Sequence, residues 1–391
     1  MTGAGGRPAL GVGMVGYSFM GRAHSQAWRT APRVFDLPLQ PRMVAIAGRS
    51  AENVEAARAE LGWEDGVTDW RALLERDDVD LVDVCTPGDS HAEIAIAALQ
   101  AGKHVLCEKP LATSVAEGEA MAAAAERAAG AGVRAMVGFN YRRVPALAFA
   151  RQLIAEGRLG EIRHVRAVYL QDWIVDPEFP LVWRLVAEHA GSGALGDIGA
   201  HIIDAAQFLL GQEIASVSGL TATFVKERPL ADASARLGAA GSAQRGTVTV
   251  DDAALFLARF AGGAVGTFEA TRFATGRKNG LAIEVNGSLG SLRFDLERLS
   301  ELELYDARDD ATTQGLRRIL VTEAAHPYMA AWWPPGHLIG WEHSFTHEVR
   351  DLVVAIAAGE DARPTFADGL QVERVLAAVV RSAQSGSWEP T

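Results

Sequence analysis

The sequence predicts an α/β Rossmann domain with a doubly wound parallel sheet, followed by an α+β domain with a large, mostly antiparallel open sheet. Up to about residue 140, short apolar runs alternate with segments of helical period, and beyond residue 156 the pattern becomes that of antiparallel strands. The 391 residues are enough for two cored domains. We expect a first, Rossmann domain over 1–141 and a second, α+β domain over 142–391, with a C-terminal helix over about 366–384 that packs back on the first domain.

The first domain is predicted from five short apolar runs, which are typical of parallel strands buried on both faces. They lie at 9–15, 43–47, 81–85, 104–107 and 135–139. After the first run, Met20, Ala23, Ala27 and Trp28 recur at helical spacing, and a later helix face ends just before Gly102. Right-handed crossovers between such strands build a parallel sheet.

The second domain begins with a helix over 144–156 and continues with apolar runs of antiparallel character. These runs lie at 165–170, 216–225, 253–260, 264–270, 282–286, 291–294 and 301–305. Two long loops are predicted at 225–252 and 306–341, and loops of that length are usually functional or disordered.

Composition and apolar patterning bear on the binding partners, the location and the cysteines of the protein. The net charge is -12, with 37 basic against 49 acidic residues, which disfavours a nucleic-acid partner because phosphate binding needs clustered Lys and Arg. The first residues lack the apolar core of a signal peptide, and no apolar run has membrane length, so we expect a cytoplasmic protein. Cys85 and Cys107 lie in buried strand runs, and we expect two reduced thiols.

The first strand-to-helix turn is the predicted cofactor site. A G-x-G-x-x-G match at Gly11, Gly13 and Gly16 falls inside the first strand, so the working turn is 16–21. Free N–H groups at the start of a helix attract the pyrophosphate, although a plain strand-to-helix turn would have the same pattern. The predicted cofactor contacts in this turn are Gly16, Ser18, Phe19, Met20 and Gly21, with Ser18 in the place of the middle glycine.

The end of the second strand bears on the choice between NAD and NADP. NAD enzymes carry a carboxylate there for the ribose 2′-hydroxyl, whereas this chain has Gly48-Arg49-Ser50. Arg49 could pair with a 2′-phosphate, with Ser50 beside it, although an arginine at a strand end is often only solvated. The sequence therefore predicts NADP, or use of both NAD and NADP.

Three residues carry the predicted chemistry. Lys109 precedes Pro110, which keeps it extended at the carboxyl edge of the sheet where ligands of such sheets bind. Asp197 and His201 are four residues apart on a helical run over 198–210, so both side chains share the face of its first turn, with Asp197 as a candidate N-cap. We assign His201 as general base, Lys109 as the group that stabilises the alkoxide or relays the proton, and Asp197 as the group that positions them. No metal site is predicted.

These residues and their neighbours resemble the Gfo/Idh/MocA oxidoreductase family over nearly the whole length. The motifs are VGYSFMGRAH at 15–24, Thr86-Pro87 with His91, Glu108-Lys109-Pro110, GFNYRR at 138–143, and Asp197 with His201. The resemblance implies a nicotinamide cofactor, a cis peptide before Pro110, and a homodimer or homotetramer formed through the sheet of the second domain. It also implies catalytic roles for Lys109, Asp197 and His201. Ligands of such sheets bind at the carboxyl edge, so the predicted cofactor contacts there are Thr86, Pro87, Glu108 and Lys109, with Asn140 as a further contact. His91, which opens the next helix, is also a candidate contact, although a structural role at the helix start is the stronger interpretation for it.

The predicted substrate is a sugar, an anhydrosugar or a cyclitol that loses a hydride from a secondary hydroxyl. Trp173 and Trp183 offer apolar faces to a sugar ring, and Asp172, Arg184 and Asn140 could bond its hydroxyls, beside the three catalytic residues. Two alternatives stay open. One is an NAD-dependent glycosidase that oxidises its sugar transiently, and the other is a non-catalytic sugar-sensing regulator, because fold does not fix function.

Overall fold

The computed structural model describes residues 6–231 and 241–391, and the chain divides into two compact units. The first unit comprises Met1–Val144, Ala330–Trp333 and Ile339–Leu370, and the second comprises Pro145–Met329, Pro334–Leu338 and Gln371–Thr391. Residues 330–333 and 339–370, which the sequence prediction placed in the second domain, thus contact the first unit.

The strands fall into three sheets, two of them large. In chain order the strands are β1 (Ala9–Val15), β2 (Gln40–Ala47), β3 (Asp65–Val67), β4 (Leu81–Val84), β5 (His104–Cys107), β6 (Ala135–Val137), β7 (Ile162–Leu170), β8 (Ile214–Ala222), β9 (Glu227–Ala231), β10 (Gly241–Thr247), β11 (Ala253–Phe260), β12 (Val265–Thr271), β13 (Gly280–Gly287), β14 (Gly290–Asp295), β15 (Glu301–Asp306), β16 (Arg317–Leu320) and β17 (Glu389–Pro390).

The α-helices lie between and after these strands. In chain order they are α1 (Phe19–Val34), α2 (Ala51–Leu61), α3 (Arg71–Leu74), α4 (His91–Gln100), α5 (Val115–Ala129), α6 (Pro145–Ala155), α7 (Ala187–Ala190), α8 (Ala200–Leu210), α9 (His343–Ala358) and α10 (Phe366–Ser385). Among the helices of the described part of the chain, none is long and apolar enough to span a membrane.

The sheet of the first unit is parallel and has the order β3-β2-β1-β4-β5-β6. This is the strand order of a dinucleotide-binding Rossmann fold, so the predicted fold class is confirmed. All five predicted strands are present, and the prediction missed β3, which has three partly exposed residues. An edge strand so short leaves no apolar run to recognise.

The return of the chain to the first unit is explained by a shared apolar core. Trp28 on α1 is fully buried, and Phe345, Val349 and Leu352 on α9 belong to the same buried cluster. Burying side chains of this size contributes about 1.5–3 kcal/mol each, which is enough to fix α9 against α1. Cys85 and Cys107 are free, buried thiols, as predicted, and burial raises the pKa of both.

The second unit is built on a nine-stranded sheet with the order β16-β15-β14-β13-β7-β12-β11-β8-β17. Only β7 and β12 pair in parallel among these described strands. Burial alternates along β11, where Phe256 and Ala258 are buried while Leu255 and Leu257 are exposed. The helix α8 packs against β7 and β13 and covers one face of the sheet, while on the other face Leu255 and Leu257 are exposed among the described residues.

The loop predicted at 225–252 is wrong where the structure describes it. The strands β9 and β10 form an antiparallel hairpin there, with Thr247 opposite Glu227, and residues 232–240 of the predicted loop lie outside the described residues. These strands carry few β-branched or aromatic residues, so their sequence gives no strand signal. The loop predicted at 306–341 likewise contains β16, which pairs with β15.

Candidate active site

The turn between β1 and α1 has the geometry of a phosphate cradle. Gly16 has φ +99°, and a Cβ there would lie 2.7 Å from the carbonyl oxygen of Cys85. A Cβ on Gly21 would lie 2.3 Å from the carbonyl oxygen of Gly16, so both positions need glycine. Ser18 is the N-cap of α1, and within the described residues its side chain makes no capping hydrogen bond. The first N–H groups of α1 therefore suit the pyrophosphate of a dinucleotide.

Arg49 and Ser50 follow β2, as the sequence predicts. Arg49 is exposed, whereas the Ser50 hydroxyl accepts a hydrogen bond from the Asn53 N–H at 3.4 Å and caps α2. Arg49 is thus available to a 2′-phosphate, while Ser50 has a structural role at the helix start.

Lys109 lies at the carboxyl end of β5, beside the end of β4. The Lys109 N–H donates to the Glu108 carboxylate at 3.1 Å, and the peptide before Pro110 is cis, which confirms that expectation. The two ring nitrogens of His91 lie 3.0 Å from the Pro110 carbonyl oxygen and 2.9 Å from that of Thr86. His91 therefore connects the loops that follow β4 and β5, which is a structural role that accounts for its burial.

A buried ionic network lies behind Lys109 in the first unit. The His24 Nδ1 lies 3.0 Å from both carboxylate oxygens of Asp83, and its Nε2 lies 2.9 Å from Glu108 Oε1. Trp28 also donates its indole N–H to Asp83 at 2.7 Å. Burial is the largest single effect and opposes a charge on His24, but the attraction and hydrogen bonding of Asp83 and Cys85 together outweigh it and raise the pKa of His24 well above its usual value.

Asn140 is also held in the first unit. It begins a short 3₁₀ turn after β6, and its amide donates to the Ser344 hydroxyl at 2.7 Å. Ser344 in turn donates to the Trp341 carbonyl oxygen at 2.7 Å. This chain fixes the amide of Asn140, so its side chain is oriented before any ligand binds.

Asp197 and His201 lie in the second unit on a helix start of unusual geometry. Residues Leu195–Gly199 form a π turn that leads into α8. The prediction that Asp197 is an N-cap is wrong, because Asp197 lies inside this turn. Instead, the Asp251 carboxylate accepts the N–H groups of Gly193 at 2.7 Å and Leu195 at 2.8 Å. Single π turns are frequent at functional sites.

The surroundings of the Asp197 and His201 side chains are largely buried. His201 is 8% exposed, and its ring centre lies 5.9 Å from that of Tyr169 on β7. The Asp197 carboxylate pairs with the fully buried Arg272, with 3.4 Å between Oδ2 and Nη1. Arg272 is not among the site residues predicted from the sequence.

The predicted substrate residues of the second unit divide into two groups. Trp173 packs edge-on against Phe179 and lies 5.5 Å from the Arg272 guanidinium, which links it to Asp197. The other three make local contacts instead. Asp172 pairs with Lys278 at 2.8 Å, an interaction that lowers the pKa of Asp172, and the Arg184 guanidinium stacks on the Trp183 ring at 4.3 Å.

Two protein-family models match this chain, one in its N-terminal part and one in its middle part. A family model described as an oxidoreductase family with an NAD-binding Rossmann fold matches residues 10–139, and one described as the GFO/IDH/MocA C-terminal domain matches residues 147–293. The levoglucosan dehydrogenase of Pseudarthrobacter phenanthrenivorans is 44% identical over 384 residues, which cover 97% of this chain and 97% of that protein. This chain belongs to the Gfo/Idh/MocA oxidoreductase family.

Solved structures of this family agree with the assignment. An oxidoreductase domain protein from Kribbella flavida has a TM-score of 0.94 at 66% identity, covering 98% of this chain and 99% of that chain. A levoglucosan dehydrogenase in complex with NADH and levoglucosan has a TM-score of 0.92 at 43% identity, with the same coverage. The predicted family, fold class and function as a nicotinamide-dependent sugar oxidoreductase are therefore confirmed, and the comparisons support NAD as the cofactor.

Within the Gfo/Idh/MocA family, a further sequence prediction concerns the subgroup. The run YLQDW at 169–173, followed by Trp183-Arg184 and by GSGALG at 191–196, resembles levoglucosan dehydrogenase. The comparisons confirm this resemblance.

Three buried acidic residues near the predicted site were not predicted from the sequence, namely Asp83, Asp251 and Asp252. Asp83 is a lone carboxylate in the apolar strand β4, and Asp251 with Asp252 precedes the apolar strand β11. A charged residue in or next to an apolar strand needs a partner when it is buried, and this signal could have identified all three.

Proposed function

We propose that this protein oxidises a secondary hydroxyl of levoglucosan or a closely related anhydrosugar, with a nicotinamide dinucleotide as hydride acceptor. The observation that carries the proposal is its 44% identity with a levoglucosan dehydrogenase over 97% of both chains. The phosphate cradle at Gly16 and Gly21 and the anchored Lys109 support it from the structure.

The proposed catalytic residues are Lys109, Asp197 and His201. Bound nicotinamide would supply the hydride acceptor, and the chain must remove the hydroxyl proton as the hydride leaves. His201 accepts that proton, since imidazole is suited to proton transfer near neutral pH. The Lys109 ammonium stabilises the developing alkoxide, and Asp197 positions the two groups.

The remaining residues predicted from the sequence are proposed as contacts to the substrate or to the cofactor. Trp173 is the strongest candidate for a sugar platform, because its ring lies next to the Arg272 partner of Asp197. The further proposed substrate contacts are Asn140, Asp172, Trp183 and Arg184. The further proposed cofactor contacts are Ser18, Phe19, Met20, Arg49, Ser50, Thr86, Pro87, His91, Glu108 and Asn140.

The cofactor proposal is use of both NAD and NADP. The likeness to structures that hold NADH favours NAD. The exposed Arg49, in the place where NAD enzymes carry a carboxylate, favours acceptance of NADP. A ratio of kcat/KM between the two cofactors within about tenfold is expected, and a larger preference for NAD contradicts the role of Arg49.

For the assembly and location of the protein we propose a cytoplasmic homodimer or homotetramer that associates through the open face of the nine-stranded sheet. Leu220, Leu255, Leu257 and Val265 are exposed on β8, β11 and β12, which is unusual for a face left in water. Light scattering on the purified protein tests this, and a monomer at micromolar concentration overturns it.

The experiment that tests the function follows absorbance of reduced nicotinamide with levoglucosan, glucose and myo-inositol, each with NAD and with NADP. Levoglucosan should be oxidised, and Lys109→Met should lower kcat by about 10²-fold or more while NADH binding stays intact. Lys103→Met is the control, because the Lys103 ammonium donates to the Arg76 carbonyl oxygen and has no role proposed in the site.

Three results contradict the proposal. Near-normal turnover in Lys109→Met removes Lys109 from the mechanism. Release of nitrophenol from an added nitrophenyl glucoside, with no net change in the absorbance of reduced nicotinamide, indicates the glycosidase. Binding of a sugar with no turnover indicates the sensor.

A further inference from the structure

Arg272, the residue directly after β12, is a buried cation at the site of the second unit. Its side chain is 0% exposed. Nη2 donates to the Asp251 carbonyl oxygen at 3.3 Å, and Nη1 lies 3.4 Å from Asp197 Oδ2. A guanidinium taken out of water needs a compensating charge, because its desolvation costs several kcal/mol. Asp197 supplies that charge.

Asp251 connects Arg272 to the backbone that carries Asp197. Its carboxylate accepts the N–H groups of Gly193 and Leu195, and its carbonyl oxygen accepts the Ala194 N–H at 3.1 Å. Three consecutive N–H groups at the start of the π turn thus end on one residue. The same carbonyl oxygen accepts Arg272, so the turn and the guanidinium share an anchor.

The other charges around Arg272 are engaged elsewhere. Asp252 accepts the N–H groups of Phe224 at 2.7 Å and Val225 at 3.2 Å, and burial raises its pKa. Arg228, equally buried, donates to the carbonyl oxygens of residues 174, 176 and 179. Arg272 is therefore the buried arginine of this region that pairs with the proposed catalytic carboxylate.

Trp173 covers Arg272 from a second direction. The guanidinium carbon lies 5.5 Å from the ring centre, within the range of a cation–π contact. The indole N–H donates to the Gln171 side chain at 3.0 Å, and the ring packs edge-on against Phe179. Trp173 is fixed by these contacts, and it limits the rotamers that Arg272 can adopt.

We propose that Arg272 is a positioning residue for catalysis, which holds the Asp197 carboxylate in one orientation. The inference rests on the proposed function, because it acts through the catalytic role proposed for Asp197. Arg272 contacts neither the reacting hydroxyl nor the cofactor in this scheme. Its loss should therefore lower kcat and leave the KM for the cofactor nearly unchanged.

The test compares Arg272→Met with Arg228→Met in the full-length protein, with levoglucosan and NAD. Both changes replace a fully buried arginine with an apolar side chain, and only Arg272 touches Asp197. Arg272→Met should lower kcat by about 30-fold or more, whereas Arg228→Met should stay within about threefold when both are assayed well below their melting temperatures. Arg272→Lys keeps the positive charge and should recover part of the lost kcat. This variant replaces Arg272→Met in the comparison if Arg272→Met does not fold.

A double-mutant cycle separates positioning from a general loss of structure. If Arg272 acts through Asp197, the variant Asp197→Asn with Arg272→Met should be no slower than Asp197→Asn alone, within about threefold. A structural role would instead multiply the two losses.

The outcomes distinguish the two proposals. Equal kcat in Arg272→Met and Arg228→Met, or losses that multiply in the double variant, overturns the role of Arg272 and leaves the proposed function standing. Near-normal turnover in Asp197→Asn overturns the catalytic role proposed for Asp197 and this inference with it, while oxidation of levoglucosan stands. No turnover of levoglucosan by the wild type overturns the proposed function and, with it, this inference.

Discussion

Asp83→Asn should destabilise the first unit by about 3–5 kcal/mol, the cost of removing one partner from a buried ion pair. Asp83 is fully buried, and its two oxygens accept from His24 and from the Trp28 indole. The asparagine amide has the same shape, but it carries no charge and replaces one acceptor with a donor. At least one N–H group would then face another donor, which leaves both unsatisfied.

The loss should depend on pH, because the pKa of His24 is raised in the folded protein. The stability from its charge is fully present below the unfolded-state pKa of about 6.5, and it is lost as the pH rises through the folded-state value. The difference between wild type and Asp83→Asn should therefore be largest near pH 6 and should shrink at alkaline pH.

Urea unfolding followed by circular dichroism at pH 6 and pH 9 measures this difference. Glu55→Gln is the matched control, because Glu55 forms an exposed ion pair with Arg58 three residues along α2. Removing such a pair should cost about 0.5 kcal/mol or less. A loss below about 1 kcal/mol for Asp83→Asn at pH 6 would refute the ionised network, and with it the explanation of how Glu108 is held.

Two more predictions concern the first unit. Burial raises the pKa of Glu348 to about 8, against the attraction of Arg143, so the free energy of unfolding should fall as the pH rises from about 4.5 to 8. In urea titrations, Glu348→Gln should make the free energy of unfolding depend less on pH over this range. An unchanged pH dependence contradicts this prediction. Gly21→Ala places a Cβ 2.3 Å from a backbone oxygen and should raise the Kd for NADH by about tenfold or more, measured by fluorescence, whereas Gly130→Ala, with its nearest atom at 3.5 Å, should not.

The Rossmann unit was predictable because its strands are continuous apolar runs. The ranges predicted for β1 and β5 agree with the structure, and the glycine turn after β1 lies where the motif places it. The hairpin of β9 and β10 was not predictable in the same way. Its residues Glu227–Ala231 and Gly241–Thr247 gain their order from pairing with each other, and pairing leaves no periodic apolar pattern in either strand.

The site was predictable only at the level of residue types. The spacing of Asp197 and His201 indicates a helix, but it cannot show that a π turn precedes α8 or that Asp251 caps it. Both features depend on contacts between residues more than 50 positions apart. Local sequence patterns cannot predict contacts between residues so far apart in the chain.

Two of the proposed catalytic residues, Lys109 and Asp197, lie next to a buried ionic cluster in their own unit. Lys109 follows Glu108, which His24 holds, and Asp197 pairs with Arg272. Buried ion pairs are often no better for stability than apolar side chains of similar volume, so stability is a poor reason for two such clusters. Each cluster instead fixes the backbone or the carboxylate next to a reacting group, where an error of about 1 Å can cost 10²-fold in rate. We therefore expect variants of these clusters to lose kcat out of proportion to their loss of stability.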